Sequence, residues 1–305
     1  MKHYLGTGTI GPQTYPEISL SEYERGKAAA EGVRTLLSAE EKFQMALENY
    51  FEYENELLTL GLRFMVWHKV SESVMRAAKA TTNRRLGNYL AMARMYLDHT
   101  DRELKSIYGK SSTESINFNS ARNEQYDTLF GYRVMEAIRN SMQHNCLPIQ
   151  SFTFPSKWEQ GDNTTFLRHG AEASLSIKAL ARDGKLKPAI QAELSALKSD
   201  RLDATGLLRQ HVEGLGAAHA QFRLCTKERL DEWEKCVRSL KDKIEEANGE
   251  VIPIFEAYKM NETEEIDVEK FVFNSRSLST LATMREVSCA TSLSRWYVSN
   301  RLTES

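Results

Sequence analysis

Apolar residues recur at three- and four-residue steps along most of the chain, which is the spacing of one face of an α-helix. A first run follows Ser38 and Glu41, whose S-x-x-E spacing is typical of a capping box at a helix start. A second run ends at Gly109, as expected of a glycine at a helix C-terminus. A third covers residues 130–142 and stops before Pro148, which disfavours helix at the residue before it. The pattern predicts a mainly helical protein.

The second half of the chain continues this pattern with one long helix. Residues Leu208 to Ile244 keep alternating three- and four-residue apolar steps until Gly249, a spacing typical of a helix that packs against a partner helix. Shorter helices are predicted over 166–180, from Pro188 onward and near 278–298. His211 and His219 lie eight positions apart on the long helix, and we expect them at the edge of a core rather than on a metal.

Other segments break the helical pattern. Residues 149–158 alternate apolar and polar positions, which predicts a short strand that Pro155 confines to a sheet edge. Residues 110–123 are polar and predict a loop. We divide the chain into an irregular N-terminal arm (1–37), a helical bundle (38–160) and a C-terminal helical extension with the long helix and a small mixed element (161–305).

Composition and cysteine spacing exclude several classes of protein. The 305 residues are 41% hydrophobic and 27% charged, which excludes disordered, collagen-like and membrane-spanning chains. The four cysteines have no C-x-x-C spacing, so we expect free thiols rather than a disulfide framework or a zinc site. The first twenty residues lack the basic and apolar regions of a secretory signal, so we expect a cytoplasmic protein that does not bind a membrane.

Acidic and basic residues are nearly equal in number over the whole chain but are concentrated in different segments. A net charge of −2 gives no global reason to expect nucleic-acid binding. Residues 61–110, however, hold ten basic and four acidic side chains, which gives this segment candidate phosphate contacts at Arg84, Arg85 and Arg94. The helix before it is acidic on the side that we expect to be exposed, at Glu40, Glu41, Glu48, Glu52, Glu54 and Glu56. The basic segment is equally consistent with a solvated face paired with that acidic helix.

A polar cluster lies on the helix that starts near residue 130. On a helical wheel Val134 and Ile138 mark the apolar face, and the opposite face carries Glu136, Arg139, Asn140, Gln143 and His144. Asn140 and His144 lie one turn apart, so the amide can orient the imidazole. A permanent cation beside a group that titrates near neutrality suits phosphodiester cleavage, because Arg139 can stabilise the phosphorane while His144 moves the proton. This chemistry requires no metal.

The run Arg139-Asn140-Ser-Met-Gln-His144 resembles the signature of the HEPN superfamily, in which an arginine, usually followed by a polar residue, precedes a histidine by four to six intervening positions. The phrases YFEYENELL, NRRLGNYLAMARMYLDH and YRVMEAIRNSMQHNCLPI also look like a family of uncharacterised bacterial proteins that share this arrangement. The resemblance covers about residues 38–155. It implies a mainly α fold, with a HEPN-like helical bundle followed by the helical extension and a small β element.

The resemblance also implies a function. In many HEPN proteins the arginine and histidine of two protomers meet at a dimer interface and cleave RNA without metal, through attack by the ribose 2′-hydroxyl, and many serve as toxins or in defence against phage. For this chain the resemblance implies that Arg139 and His144 are catalytic and that Asn140 is their polar companion. Glu136 and Gln143 would support these three residues. RNA would be the partner, the protein a homodimer, and no cofactor or metal would be needed.

Other interpretations remain open from the sequence. The loose Arg-x4-His pattern also occurs at Arg63/His68 and Arg94/His99, where an apolar residue follows the arginine, so the spacing alone is not specific. The polar face can be a solvated surface with a histidine near the helix C-terminus. The protein can also be a non-catalytic interaction module or a nucleotide- or RNA-binding module, with the helix Leu208 to Ile244 binding a protein partner.

Overall fold

The computed structural model describes residues 2–7, 13–142, 147–160, 164–182, 186–260, 266–295 and 298. The helices in these ranges are α1 (Leu20–Trp67), α2 (Glu72–Tyr108), α3 (Thr113–Thr128), α4 (Phe130–Met142), α5 (Ile177–Arg182), α6 (Pro188–Ser195), α7 (Ala204–Asn248) and α8 (Arg276–Glu286). The strands are β1 (Lys2–Thr7), β2 (Glu17–Ile18), β3 (Ile149–Thr153), β4 (Ser156–Gln160), β5 (Thr165–His169), β6 (Glu172–Ser176), β7 (Arg201–Asp203), β8 (Ile254–Met260) and β9 (Ile266–Asn274). The fold is mainly helical, as the sequence predicts, and none of the helices described here combines the length and apolar character of a membrane span.

The N-terminal segment differs from the prediction. Residues 1–37 do not form an irregular arm, because β1, β2 and the first turns of α1 occupy the described part of this segment. The capping box lies at Ser19 and Glu22: the Glu22 carboxylate accepts from the Ser19 N–H (2.8 Å), and the Ser19 hydroxyl accepts from the Glu22 N–H (3.1 Å). Ser38 and Glu41 lie inside α1, where no proline interrupts the helix.

Several predicted helix ends are confirmed. Gly109 follows α2 with φ +98°, and its N–H donates to the carbonyl oxygen of Lys105 (3.0 Å). Gly249 follows α7 with φ +69°, which is the same left-handed conformation. Pro188 opens α6 at a position where the missing N–H costs no hydrogen bond. These helix ends could be predicted because the backbone preferences of glycine and proline act on their immediate neighbours.

Two stretches were predicted wrongly. Residues 113–128 form α3 rather than a polar loop: the Ser112 hydroxyl caps it by accepting from the Ser115 N–H (3.2 Å), and Phe118 is its fully buried anchor. Residues 165–176 form β5 and β6 rather than helix. Strand β5 pairs with β4, and β6 pairs with β3 and β7, so backbone hydrogen bonds come from distant segments that periodicity cannot reveal. The last predicted helix ends early, at Glu286.

Contacts group the chain into two compact units. One comprises Met1–Glu41, Arg102–Ser115 and Phe222–Ser288 and contains the antiparallel sheet β2-β1-β8-β9. The other comprises Lys42–Asp101, Ile116–Gln221 and Cys289–Ser305 and contains the sheets β3-β6-β7 and β4-β5. Strand β3 lies at a sheet edge, as predicted. Each unit is assembled from segments distant in sequence, whereas the sequence suggested three consecutive segments.

Two buried tyrosine–histidine pairs lie in the core of the second unit. The Tyr89 hydroxyl is 2.7 Å from Nδ1 of His211, and the Tyr96 hydroxyl is 2.8 Å from Nδ1 of His219. Phe43 stacks on His219 with ring centroids 3.8 Å apart. Both histidines are fully buried, and polar partners satisfy their Nδ1 atoms. They lie inside the core, whereas the sequence placed them at its edge.

The apolar seam of α7 is buried within the protein itself. Its fully or nearly fully buried members are Leu208, Val212, Leu215, Phe222, Val237, Leu240 and Ile244. The indole of Trp233 packs so closely on Gly32 of α1 that a Cβ there would lie 2.2 Å from the ring. Much of the seam is thus used for internal packing, whereas Leu230 and Trp233 are half-buried, and a protein partner on α7 stays a prediction.

Candidate functional site

Helix α4 carries the predicted site and approaches α7 closely at its start. The N–H of Gly131 donates to Oε1 of Gln210 (2.7 Å), and a Cβ on this glycine would lie 2.6 Å from the carbonyl oxygen of Leu207. Val134 and Ile138 are buried, as the helical wheel predicts. The polar face of α4 is thereby left to line a cavity.

This cavity has a volume of about 340 Å³ and a strongly positive wall. The wall holds one carboxylate, Glu136, and four cations, Arg94, Arg122, Arg139 and Lys187. Its remaining lining residues are Leu97, Asn123, Tyr126, Tyr132, Ala137, Asn140 and Ile190. The formal charge of the lining is +3, and a cavity with such an excess of one sign concentrates ligands of the opposite sign. The site is therefore suited to an anion.

Glu136 connects the cavity wall to the core of its unit. Its Oε2 lies 3.7 Å from Nη1 of Arg94 and 4.0 Å from Nε of Arg139. Its Oε1 lies 3.4 Å from Nε2 of His211, and Nδ1 of this histidine contacts the Tyr89 hydroxyl. One carboxylate thus lies within ion-pair distance of two guanidinium groups beside the cavity, while His211 contacts its other oxygen.

The pKa of Glu136 lies below its usual value. Burial disfavours the charged form, but the hydrogen bond with His211 and the nearby charges of His211, Arg139 and Arg94 together outweigh burial. The folded state therefore binds a proton at Glu136 less readily than the unfolded chain does, so ionised Glu136 stabilises the fold at neutral pH. This contribution is lost as pH falls below the ordinary carboxyl value of 4.5 and through the lower folded pKa.

Replacing Glu136 with glutamine is expected to lower the free energy of unfolding at pH 7 by about 1 to 2 kcal/mol, because Arg94 and Arg139 lose their shared counter-charge. The difference from the wild type should shrink progressively below pH 4.5, where the native carboxyl also becomes neutral. Urea unfolding of both proteins between pH 3 and pH 8 measures this. A difference that stays constant over the whole range would contradict the assigned role of the charge.

Tyr132 belongs to the lining of the cavity and is almost fully buried. Its ring stacks on His211 with centroids 4.5 Å apart and planes inclined by 18°. The hydroxyl is buried and has no hydrogen-bond partner among the described residues. Burial and the charge of Glu136 raise the pKa of Tyr132 above its usual value, although Arg122 and Arg94 act in the opposite direction. The group therefore remains a protonated donor at neutral pH.

The structure places part of the predicted site and leaves part outside the described residues. Arg139 and Asn140 both line the cavity, and Nη2 of Arg139 donates to Oδ1 of Asn140 (2.6 Å). His144 and Gln143 lie outside the described residues, as does Cys146. Among the described residues, the Asn140 amide therefore pairs with Arg139, and the predicted contact with His144 is not described. Cys236 is half-buried and has a free thiol.

The three candidate phosphate contacts have different surroundings. Arg94 lines the cavity and also pairs with Asp98 (2.7 Å). Arg85 is ion-paired with Glu52. Arg84 is exposed and does not belong to the cavity lining. Of the three candidates, Arg94 therefore belongs to this cavity, and phosphate contacts at Arg84 and Arg85 stay a prediction.

Four residues that shape the site were missed by sequence reasoning. Arg122 comes from α3, which was predicted as a loop, and Lys187 comes from the residue before α6, where its Nζ lies 5.4 Å from the Tyr126 ring centroid. His211 was expected at the edge of a core, and Tyr132 was given no role. The signal that links these residues is spatial proximity, and no local spacing carries it.

No protein-family model matches the chain, and the comparisons with curated proteins and with solved structures found no match. The likeness to HEPN proteins therefore remains a prediction from the sequence.

Proposed function

We propose that this protein is a metal-independent endoribonuclease of the HEPN type, with toxin or phage-defence roles, that binds RNA phosphate groups in the cavity beside α4. The observation that carries the proposal is the composition of the cavity wall. It combines Arg139 and Asn140, the residues of the sequence motif, with further cations from three other parts of the chain. Cationic side chains at fixed positions supply the electrostatic stabilisation that phosphoryl transfer needs.

In the proposed reaction the ribose 2′-oxygen attacks the adjacent phosphorus atom while its proton passes to a base. The bond from phosphorus to the 5′-oxygen then breaks, and that oxygen takes up a proton. The products are an RNA with a 2′,3′-cyclic phosphate and an RNA with a 5′-hydroxyl, so atoms and charge balance. We assign the proton transfers to His144 and the neutralisation of the phosphorane to Arg139. Asn140 positions the guanidinium through its hydrogen bond.

We further propose that the active form is a homodimer. One arginine and one histidine per chain make a sparse catalytic site, and two copies would double its charged groups and proton carriers. The expected dimer is measurable by light scattering. Monomeric protein with full activity would remove this part of the proposal and leave the chemistry intact.

Substitution of Arg139 or His144 by alanine is expected to slow RNA cleavage at least about 100-fold, because each change removes charge stabilisation or proton transfer from the transition state. The assay is cleavage of a labelled RNA mixture by purified protein in the presence of EDTA. Induced expression in a bacterial host gives a second readout, through growth and total-RNA integrity.

The matched controls are Arg63→Ala and His68→Ala, which alter another Arg-x4-His spacing of the same chain. Neither residue lines the cavity, so both variants should cleave like the wild type. Equal activity of the Arg139→Ala, His144→Ala and control variants would reject the assigned residues. Loss of wild-type cleavage in EDTA would reject a metal-independent reaction.

A further inference from the structure

The charge of the cavity exceeds what an internal RNA phosphate requires. An internal phosphodiester carries one negative charge, whereas a terminal phosphomonoester carries about 1.5 to 2 near neutral pH. The wall offers four cations and the carboxylate of Glu136, and Arg94 also pairs with Asp98 behind the wall (2.7 Å), so a net charge of about +2 is left for a ligand. That carboxylate already engages Arg94 and Arg139 at distances of 3.7 and 4.0 Å. Arg122 also lines the cavity and forms no ion pair with a described residue.

The size of the cavity also favours a compact ligand. A volume of about 340 Å³ lies at the small end of the range for small-molecule sites, about 300 to 1,000 Å³. Apolar residues account for three positions of the lining, Leu97, Ala137 and Ile190, and the other positions are charged or polar. The cavity therefore suits a single phosphate-bearing unit with a polar body.

The hydroxyl of Tyr132 supplies a second, independent sign of a ligand. The residue is 2% exposed, and its hydroxyl has no hydrogen-bond partner among the described residues. Leaving a buried donor without an acceptor is unfavourable, and such groups are rare in folded proteins. Its ring is held by stacking on His211, so the donor has a fixed position. A phosphate oxygen is an acceptor that matches both this donor and the surrounding cations.

We propose that the cavity recognises a phosphomonoester, either the terminal phosphate of an RNA or a free nucleotide, with the Tyr132 hydroxyl donating to a phosphate oxygen beside Arg94 and Arg122. This inference rests on the proposed function, because it names the part of the substrate that the same cavity selects. For an RNA ligand, Arg94 and Arg122 would bind the terminal phosphate, and Arg139 would serve the phosphodiester that is cleaved. Binding alone tests it, so its failure is distinguishable from failure of the nuclease.

The first experiment is calorimetric titration with adenosine 5′-monophosphate, adenosine and inorganic phosphate. The monophosphate is expected to bind at least about 10-fold more tightly than the nucleoside. Tyr132→Phe should weaken monophosphate binding about 10-fold without lowering the melting temperature of the free protein, because the lost hydroxyl has no partner among the described residues. Arg122→Gln should weaken it further. Arg84→Gln alters an exposed arginine outside the cavity and should bind like the wild type.

A second experiment distinguishes the two sources of the phosphate. Ten-nucleotide RNAs with 5′-phosphate, 3′-phosphate or hydroxyl ends are compared in binding and cleavage. Preference for one phosphorylated end supports recognition of RNA ends, and monophosphate binding without any such preference supports a free nucleotide ligand. Equal binding of monophosphate and nucleoside overturns the inference, as does unchanged affinity in both Tyr132→Phe and Arg122→Gln, even if the protein cleaves RNA. Phosphate-dependent binding without cleavage would uphold the inference and reject the nuclease.

Discussion

Replacing Glu40 with alanine is expected to lower the free energy of unfolding by about 3 to 5 kcal/mol, the cost of breaking a buried ion pair from one side. The Glu40 side chain is 1% exposed and lies against the guanidinium groups of Arg223 and Arg285. Arg223 donates from Nη2 to Oε2 (2.8 Å), and Arg285 donates from Nε to Oε1 (3.1 Å). Without this carboxylate, two largely buried cations lose their shared counter-charge.

The same arginines hold the end of α8, so the effect should be largest there. Arg223 also donates to the backbone carbonyl oxygens of Met284, Arg285 and Val287, at distances of 2.8 to 3.1 Å. These carbonyls lie at the C-terminal end of α8, which ends at Glu286, and the Met284 carbonyl also accepts from the Val287 N–H (3.3 Å). Hydrogen exchange in the Glu40→Ala variant is therefore expected to accelerate first around residues 284–287.

The control for this prediction is the neighbouring carboxylate. Glu41 is exposed, and its replacement with alanine should change the free energy of unfolding by less than about 0.5 kcal/mol. Urea unfolding of the two variants beside the wild type measures the difference. If Glu40→Ala cost no more than Glu41→Ala, the carboxylate would not be acting as a buried counter-charge.

Replacing Gly131 with alanine is expected to cost about 3 kcal/mol or more and to reduce activity at the cavity. The new Cβ would lie 2.6 Å from the Leu207 carbonyl oxygen and 2.8 Å from the Gln210 side chain, and the first contact is with backbone that cannot rotate away. Helix α4 must then move away from α7. Because α4 carries Glu136 and Arg139, the cations of the cavity are displaced with it.

A second glycine in the same unit provides a control of opposite sign. Gly61 lies inside α1, and the nearest atom to an added Cβ is the backbone nitrogen of Ala171 at 3.5 Å, an ordinary contact. Gly61→Ala should stabilise the protein by up to about 1 kcal/mol, because alanine favours helix. Thermal unfolding of both variants and monophosphate titration of Gly131→Ala test the pair. Equal effects of the two substitutions would contradict the close approach of α4 to α7.

Many of the helices could be predicted from the sequence, but some of their ends could not. Helix α4 was predicted correctly because its apolar residues recur at three- and four-residue steps and so lie on one face. The start of α1 was missed because the S-x-x-E spacing occurs three times within residues 19–41, at Ser19/Glu22, Ser21/Glu24 and Ser38/Glu41, and local sequence does not decide which one caps the helix. Glu40 was expected on an exposed face, since periodicity counts a glutamate as polar and cannot see two arginines from distant helices.

The candidate site could also be predicted only in part. The polar face of α4, with Glu136, Arg139 and Asn140, could be predicted from helical geometry alone, and all three residues line the cavity. The cavity itself could not be predicted. Arg122 and Lys187 reach it from other elements, and the partnerless hydroxyl of Tyr132 becomes visible only when every neighbour is placed.

The sequence by itself determined the helical class, the glycine-marked ends of α2 and α7, and the polar face that carries Arg139 and Asn140. These properties depend on backbone restrictions and on side-chain spacing within a few turns, which neighbouring residues impose directly. The tertiary structure decided the strand pairings, the burial of Glu40 and the convergence of four cations on one cavity. Such features join residues far apart in the chain, because burial and electrostatic pairing depend on distance in space rather than on separation in sequence.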